Sequence, residues 1–161
     1  MTIAVIDTNV LLVANNKHPD ISPVCVLECV QRLEQIKKQG IVVIDDGWRL
    51  VGEYKHKTQP NQPKGPGDVF LKWLLQNISN PQRIHQVPVT ESSIDNFTEF
   101  PDSELQQQLD PPVWQATDCK WLDWWPQLKT HGVNIEFLCP DDVCQFYQAK
   151  FPEKTPPSLP D

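Results

Sequence analysis

Nowhere does this 161-residue chain run uninterrupted in apolar residues for the ~20 positions that a membrane span needs, so no membrane partner is expected. The opening Met1-Thr2-Ile3-Ala4-Val5-Ile6-Asp7 lacks a basic flank and soon meets a charge, so it does not read as a secretory signal. Positive charge is scarce. The 14 Lys and Arg stand against 21 Asp and Glu, a net charge of -7 that excludes a wholesale cationic coat for nucleic acid. Cysteine occurs five times, an odd count without a Cys-x-x-Cys pair, which predicts reduced thiols in a cytoplasmic protein rather than a disulfide scaffold. No His stands near Cys25 and Cys29 to complete a zinc site. These two, four apart on one helix face, are expected to pack in the core, as are Cys139 and Cys144, which flank a Pro-Asp-Asp turn. There is no internal repeat, and no Gly-rich loop to cradle a nucleotide phosphate.

What remains is enough for one domain. The 39% apolar content is low for a compact domain yet above the disordered range, and six Trp and six Phe supply large core side chains. Residues 3–6 and 41–44 are β-branched apolar runs, the pattern of strands buried on both faces. Further strands are expected at 84–89, ending at Pro88, at 113–117, and at 133–138. Between them, Asp7-Thr8-Asn9 should cap a short helix over 10–13. Ser22-Pro23 opens a helix that Gly40 stops, and residues 49–57 form another with Leu50, Val51 and Tyr54 inward. Asp68 should cap a helix over 69–76 after an exposed Pro- and Gly-rich loop at 58–67. A short helix is expected from Phe100 through Leu109, and one over 121–128 broken at Pro126. Strands alternating with helices imply right-handed crossovers and hence an α/β fold, a three-layer α/β/α sandwich with a mostly parallel central sheet. The domain is expected over residues 1–148. Residues 149–161 are Pro-rich, and from Pro152 a disordered tail is expected.

The chemistry signal lies in three acids. Asp7 ends the first strand, Asp118 ends a later one, and Glu53 sits on the helix after the second. In an open parallel sheet the carboxyl ends of the strands share one edge, and ligands bind in the crevice there. Carboxylates converging in such a crevice repel one another unless a divalent cation lies between them. Hard oxygen donors select Mg²⁺ or Mn²⁺.

The segment Ile3-Ala4-Val5-Ile6-Asp7-Thr8-Asn9-Val10-Leu11-Leu12 resembles the opening strand and helix of PIN domains, the nuclease fold of many bacterial toxin ribonucleases. The similarity continues through Asp45-Asp46-Gly47-Trp48-Arg49-Leu50-Val51-Gly52-Glu53-Tyr54 and returns at Ala116-Thr117-Asp118. The resemblance implies a Mg²⁺- or Mn²⁺-dependent ribonuclease. Asp7, Glu53 and Asp118 would be catalytic metal ligands, and Asn9 would orient water or Asp7 from behind. It also implies that a homodimer and an inhibitory protein partner are plausible. One departure stands out: Asp110-Pro111-Pro112 leaves no room for the helix that precedes the last acidic strand in the family, so the fourth ligand falls to Asp110 or Asp102. Lys120 stands where some relatives carry a further acid. The alternative implied is a PIN-like domain without catalysis, acting as an RNA- or protein-binding module.

An RNA path is suggested by charge. Five basic residues against two acids lie between Arg49 and Lys72, and Arg49, Lys55, Lys57 and Lys64 stand beside Glu53 and on the adjoining loop. Trp121, Trp124 and Trp125 follow Asp118 at helical spacing; core packing is expected for most of them, with one of Trp124 and Trp125 exposed.

Overall fold

A computed structural model describes residues 2–87, 111–130 and 132–160. The elements are β1 (Thr2–Ile6), α1 (Thr8–Ala14), α2 (Pro23–Gln39), β2 (Gly40–Asp45), α3 (Arg49–Lys57), α4 (Pro66–Gln76), β3 (Ile84–Val87), β4 (Val113–Gln115), α5 (Lys120–Thr130), β5 (Ile135–Phe137) and α6 (Pro140–Lys150). The five strands form one sheet in the order β3-β2-β1-β4-β5, and every pairing is parallel. The chain is therefore an α/β protein, and its architecture is that of a three-layer α/β/α sandwich. No helix among the described residues is long and apolar enough to cross a membrane.

β2 and β4 are buried from end to end because both faces carry helices, and β1 is buried from Ala4 onward: β2, Gly-Ile-Val-Val-Ile-Asp, has no exposed residue. The main core joins Ile6, Leu11, Leu33, Ile36, Ile44, Leu50, Tyr54, Phe70, Leu71, Leu74 and Trp114, all essentially without exposure. A smaller cluster forms around Leu122, Val143 and Tyr147. In α2, Pro23 takes the first helical position while the Ser22 hydroxyl accepts the N–H of Cys25 at 3.2 Å. Gly40 ends α2 and enters β2 where space is short. A Cβ there would lie 2.7 Å from the Thr2 carbonyl oxygen, so only glycine lets the strands pair.

Several local expectations are revised. The Asp7 side chain makes no cap bond to α1, whose start rests on the Val10 N–H donating to the Asp7 backbone carbonyl at 3.0 Å. Asp68 does not cap a helix starting at 69. It lies inside the first turn of α4, where its carboxylate accepts the N–H groups of Gln59 (2.8 Å) and Lys64 (2.9 Å) and the Asn15 amide (3.1 Å). The loop before α4 is thus anchored to a buried acid. The last helix before β5 runs through Pro126 to Thr130 rather than breaking there. β4 is three residues long, shorter than the run 113–117. Residues 149–160 differ from the extension expected: Ala149 and Lys150 complete α6, the Ser158 carbonyl accepts the Trp125 indole N–H at 3.0 Å, and Leu159 packs on the smaller cluster. The helix expected from Phe100 to Leu109, and with it Asp102 and Asp110, lies outside the described residues.

Candidate functional site

The chain leaves β1 to build β2 and β3 on one side, then crosses to build β4 and β5 on the other. The reversal falls between β1 and β4, the place where ligands of doubly wound sheets bind. The register Ile6↔Trp114 brings Asp7, just past the end of β1, opposite Gln115, the last residue of β4. The fully buried Gln115 donates its amide N–H to Asp7 Oδ2 at 2.6 Å, and its carbonyl oxygen accepts the N–H of Asp118 at 3.0 Å. One side chain thus ties both acids to one edge of the sheet.

Asn9, in the first turn of α1, reaches the same edge. Its Oδ1 accepts the backbone N–H of Thr117 at 2.7 Å and the Thr117 hydroxyl at 3.2 Å, fixing the turn that presents Asp118. Beside this turn opens a cavity of about 520 Å³ lined by Asn9, Thr117, Asp118, His18, Phe146 and Lys150. His18 and Phe146 meet edge to face with ring centroids 5.3 Å apart. Asp118 is half-buried, and the Lys120 ammonium lies 3.4 Å from its Oδ2.

Among the described residues, Glu53 joins no such hydrogen-bonded chain. It is exposed on α3, whose inward face instead carries Tyr54, and the Tyr54 hydroxyl donates to the Ile6 carbonyl at the end of β1. Asp45, at the end of β2, accepts the N–H groups of Arg49 (2.7 Å) and Leu50 (2.9 Å) and so caps α3. Asp7 and Asp118 are oxygen donors of the kind Mg²⁺ and Mn²⁺ take, but with Glu53 they do not make a three-carboxylate set: among the described residues, the one group of three or more His, Cys, Asp or Glu whose donor atoms all lie within 4.8 Å of one another is Cys25, Cys29 and Cys139.

The basic residues Arg49, Lys55, Lys57 and Lys64 are all exposed. Lys55 and Lys64 share a loop groove of about 860 Å³ with Gln59, Pro60 and Asn61, and the Lys55 ammonium stands 5.9 Å from the centre of the Trp48 ring. Trp48, held in the left-handed region at φ 59, keeps 40% of its surface exposed beside this groove. Trp121 is buried, whereas Trp124 and Trp125 are both half-buried.

The cysteines overturn the expectation of uniformly reduced thiols. Cys25 and Cys139 form a disulfide between the first turn of α2 and the start of α6, with Cα atoms 5.2 Å apart, while Cys29, Cys119 and Cys144 are free. Burial pushes the Cys29 thiol up to about 12, helped by the negative charges of Glu28 and Asp142. Iodoacetamide at pH 8 under non-reducing conditions is therefore expected to modify Cys119 and Cys144, both half-buried, and to spare Cys29. Mass spectrometry should count two adducts on the folded protein, a third after denaturation, and all five after reduction.

No family model matches the chain, and neither a curated protein nor a solved structure matches it.

Proposed function

We propose that this chain is a PIN-like, Mg²⁺- or Mn²⁺-dependent ribonuclease whose site is the carboxyl edge between β1 and β4. The observation that carries the reading is the Asp7–Gln115–Asp118 chain at the point where the strand order reverses. An acid serving only to cap its helix would spend its carboxylate on helix N–H groups, and Asp7 does not. In this reading Asp7 and Asp118 hold the cation, Gln115 sets their spacing, and Asn9 stiffens the turn that presents Asp118. The cation would supply charge neutralisation at a phosphodiester and a lowered pKa for water. Lys55 and Lys64 would draw phosphates toward the α3–α4 loop despite the acidic whole.

A second reading, a binding module without catalysis, is favoured by a specific contact. The Lys120 ammonium 3.4 Å from Asp118 already supplies the positive charge that a cation would bring. Cleavage of a fluorescent RNA titrated with Mn²⁺ separates the two. The nuclease predicts metal-dependent cleavage that Asp7→Asn lowers by about 100-fold or more, because the variant keeps the shape and loses the charge. Retention of RNA without cleavage at millimolar Mn²⁺ would establish the module instead.

A further inference from the structure

We propose that Cys25, Cys29 and Cys139, once the Cys25–Cys139 bond is reduced, form a three-thiolate site for a soft closed-shell cation of the copper(I) class. The sulfur atoms of all three lie within 4.8 Å of one another. An ion bound in a plane by three sulfurs at ~2.3 Å sets them about 4 Å apart, so Cys29 already stands within reach of the other two, and breaking the Cys25–Cys139 bond leaves that pair to part by about 2 Å. Cys25 and Cys29 reach the site from successive turns of one face of α2, and Cys139 meets them from the start of α6.

Two further features favour ligation. Cys139 is the N-cap of the 11-residue α6, and Cys25 lies in the first turn of the 17-residue α2, so a positive helix end favours thiolate at each of these two, while Cys29, deeper in α2, gives up its proton only to the cation. The exposures of Cys25, Cys29 and Cys139 are 2%, 0% and 4%, and no His or carboxylate donor joins the group. Asp142, the acid of the neighbouring turn, has both carboxylate oxygens engaged by Ser22, at 2.8 Å by its N–H and 2.7 Å by its hydroxyl. Zinc in such a place would lack the fourth ligand of its tetrahedron, whereas monovalent copper is satisfied by three sulfurs. The site is argued independently of the RNA reading and shares no residue with it.

Disulfide and metal are alternative states of the same sulfurs. A dithiol reductant breaks the Cys25–Cys139 bond, giving it two electrons and two protons and itself closing to a disulfide. Ligation then releases the thiol protons to the buffer as the cation takes the thiolates.

The test uses the full chain, reduced and handled without air, titrated with copper(I) against a chromophoric chelator. One equivalent should be retained by the reduced protein and none by the oxidised form. X-ray absorption should show sulfur neighbours alone at ~2.3 Å. Cys29→Ala leaves the disulfide available, so the oxidised variant can be checked for folding by circular dichroism. Once reduced it should bind more weakly by over about 100-fold, beyond the loss of an outer partner. Replacing Cys119 and Cys144 together by Ser should change nothing. Surrender of all copper to the chelator by the reduced chain, equal binding by the oxidised chain, or copper that follows Cys119 and Cys144 would each overturn the proposal.

Discussion

Cys139→Ala is expected to lower folding stability by about 4 kcal/mol under non-reducing conditions, measured by urea denaturation. In the chain-entropy picture a cross-link constrains the unfolded chain most when it closes a long loop, and the Cys25–Cys139 separation is 114 residues. Such a loop is worth about 4.7 kcal/mol in that picture, and measured losses for native bridges run to about 5. Alanine is the informative replacement. A serine at this N-cap would offer α6 a cap bond that Cys139 does not make, masking part of the loss. The same loss should appear when the natural chain is reduced, together with a steeper dependence on urea, because the unlinked chain exposes more surface on unfolding. Against a total of about 5–15 kcal/mol for a domain, the effect is large. A variant as stable as the parent would mean that the Ser22–Asp142 hydrogen bonds and the surrounding core hold α2 to α6 without the bridge.

Asp68→Ala should cost about 3 kcal/mol at neutral pH. The replacement strands the N–H groups of Gln59 and Lys64 and half of the Asn15 amide, and the cost of each depends on how far water reaches it. Burial pulls the Asp68 carboxyl upward, but those N–H groups, the Asn15 amide and the Lys17 charge outweigh it and hold the group below its usual range. A carboxyl lowered in the folded state contributes stability above its unfolded value of about 3.9, and the contribution fades as pH falls through the lower folded value. The gap between parent and variant should therefore be full at pH 6 and shrink below about pH 4. A gap constant down to pH 2 would assign the loss to packing rather than charge. The variant should also loosen the groove that holds Lys55 and Lys64, since the loop hangs on this one acid.

The strands were legible because their residues leave little choice: Ala4-Val5-Ile6 and Ile41-Val42-Val43-Ile44 are too uniformly apolar for anything but a sheet covered on both faces. Asp7 and Asp118 were placed at one edge by the same logic, since parallel strands end together. Gln115 was not, because its role depends on the register between β1 and β4, which single-strand patterns do not carry. The exposure of Glu53 follows from its neighbour. Adjacent helix residues point about 100° apart, so an inward Tyr54 leaves Glu53 on the solvent side of α3. Helix α6 went unseen behind Pro140-Asp141-Asp142, read as a turn. Yet Pro at the first position, acids in the first turn and Val143, Phe146 and Tyr147 at helical spacing are the signals of a helix start. The disulfide was beyond reach, because an odd count of cysteines spread over the chain names no pair.

The sheet order has a consequence for synthesis on the ribosome. β1, β2 and β3 can associate as soon as residue 87 has emerged, but the central strand keeps one edge bare until β4 arrives more than a hundred positions after it. Cys139 follows Cys25 by 114 residues, an interval of roughly 6–23 s at ordinary elongation rates, and both Cys29 and Cys119 are translated sooner. Of the three other cysteines only Cys144 follows the native partner, so a nascent chain meeting oxidant before residue 139 can pair Cys25 only with Cys29 or Cys119, and must exchange that partner before the native bridge can form.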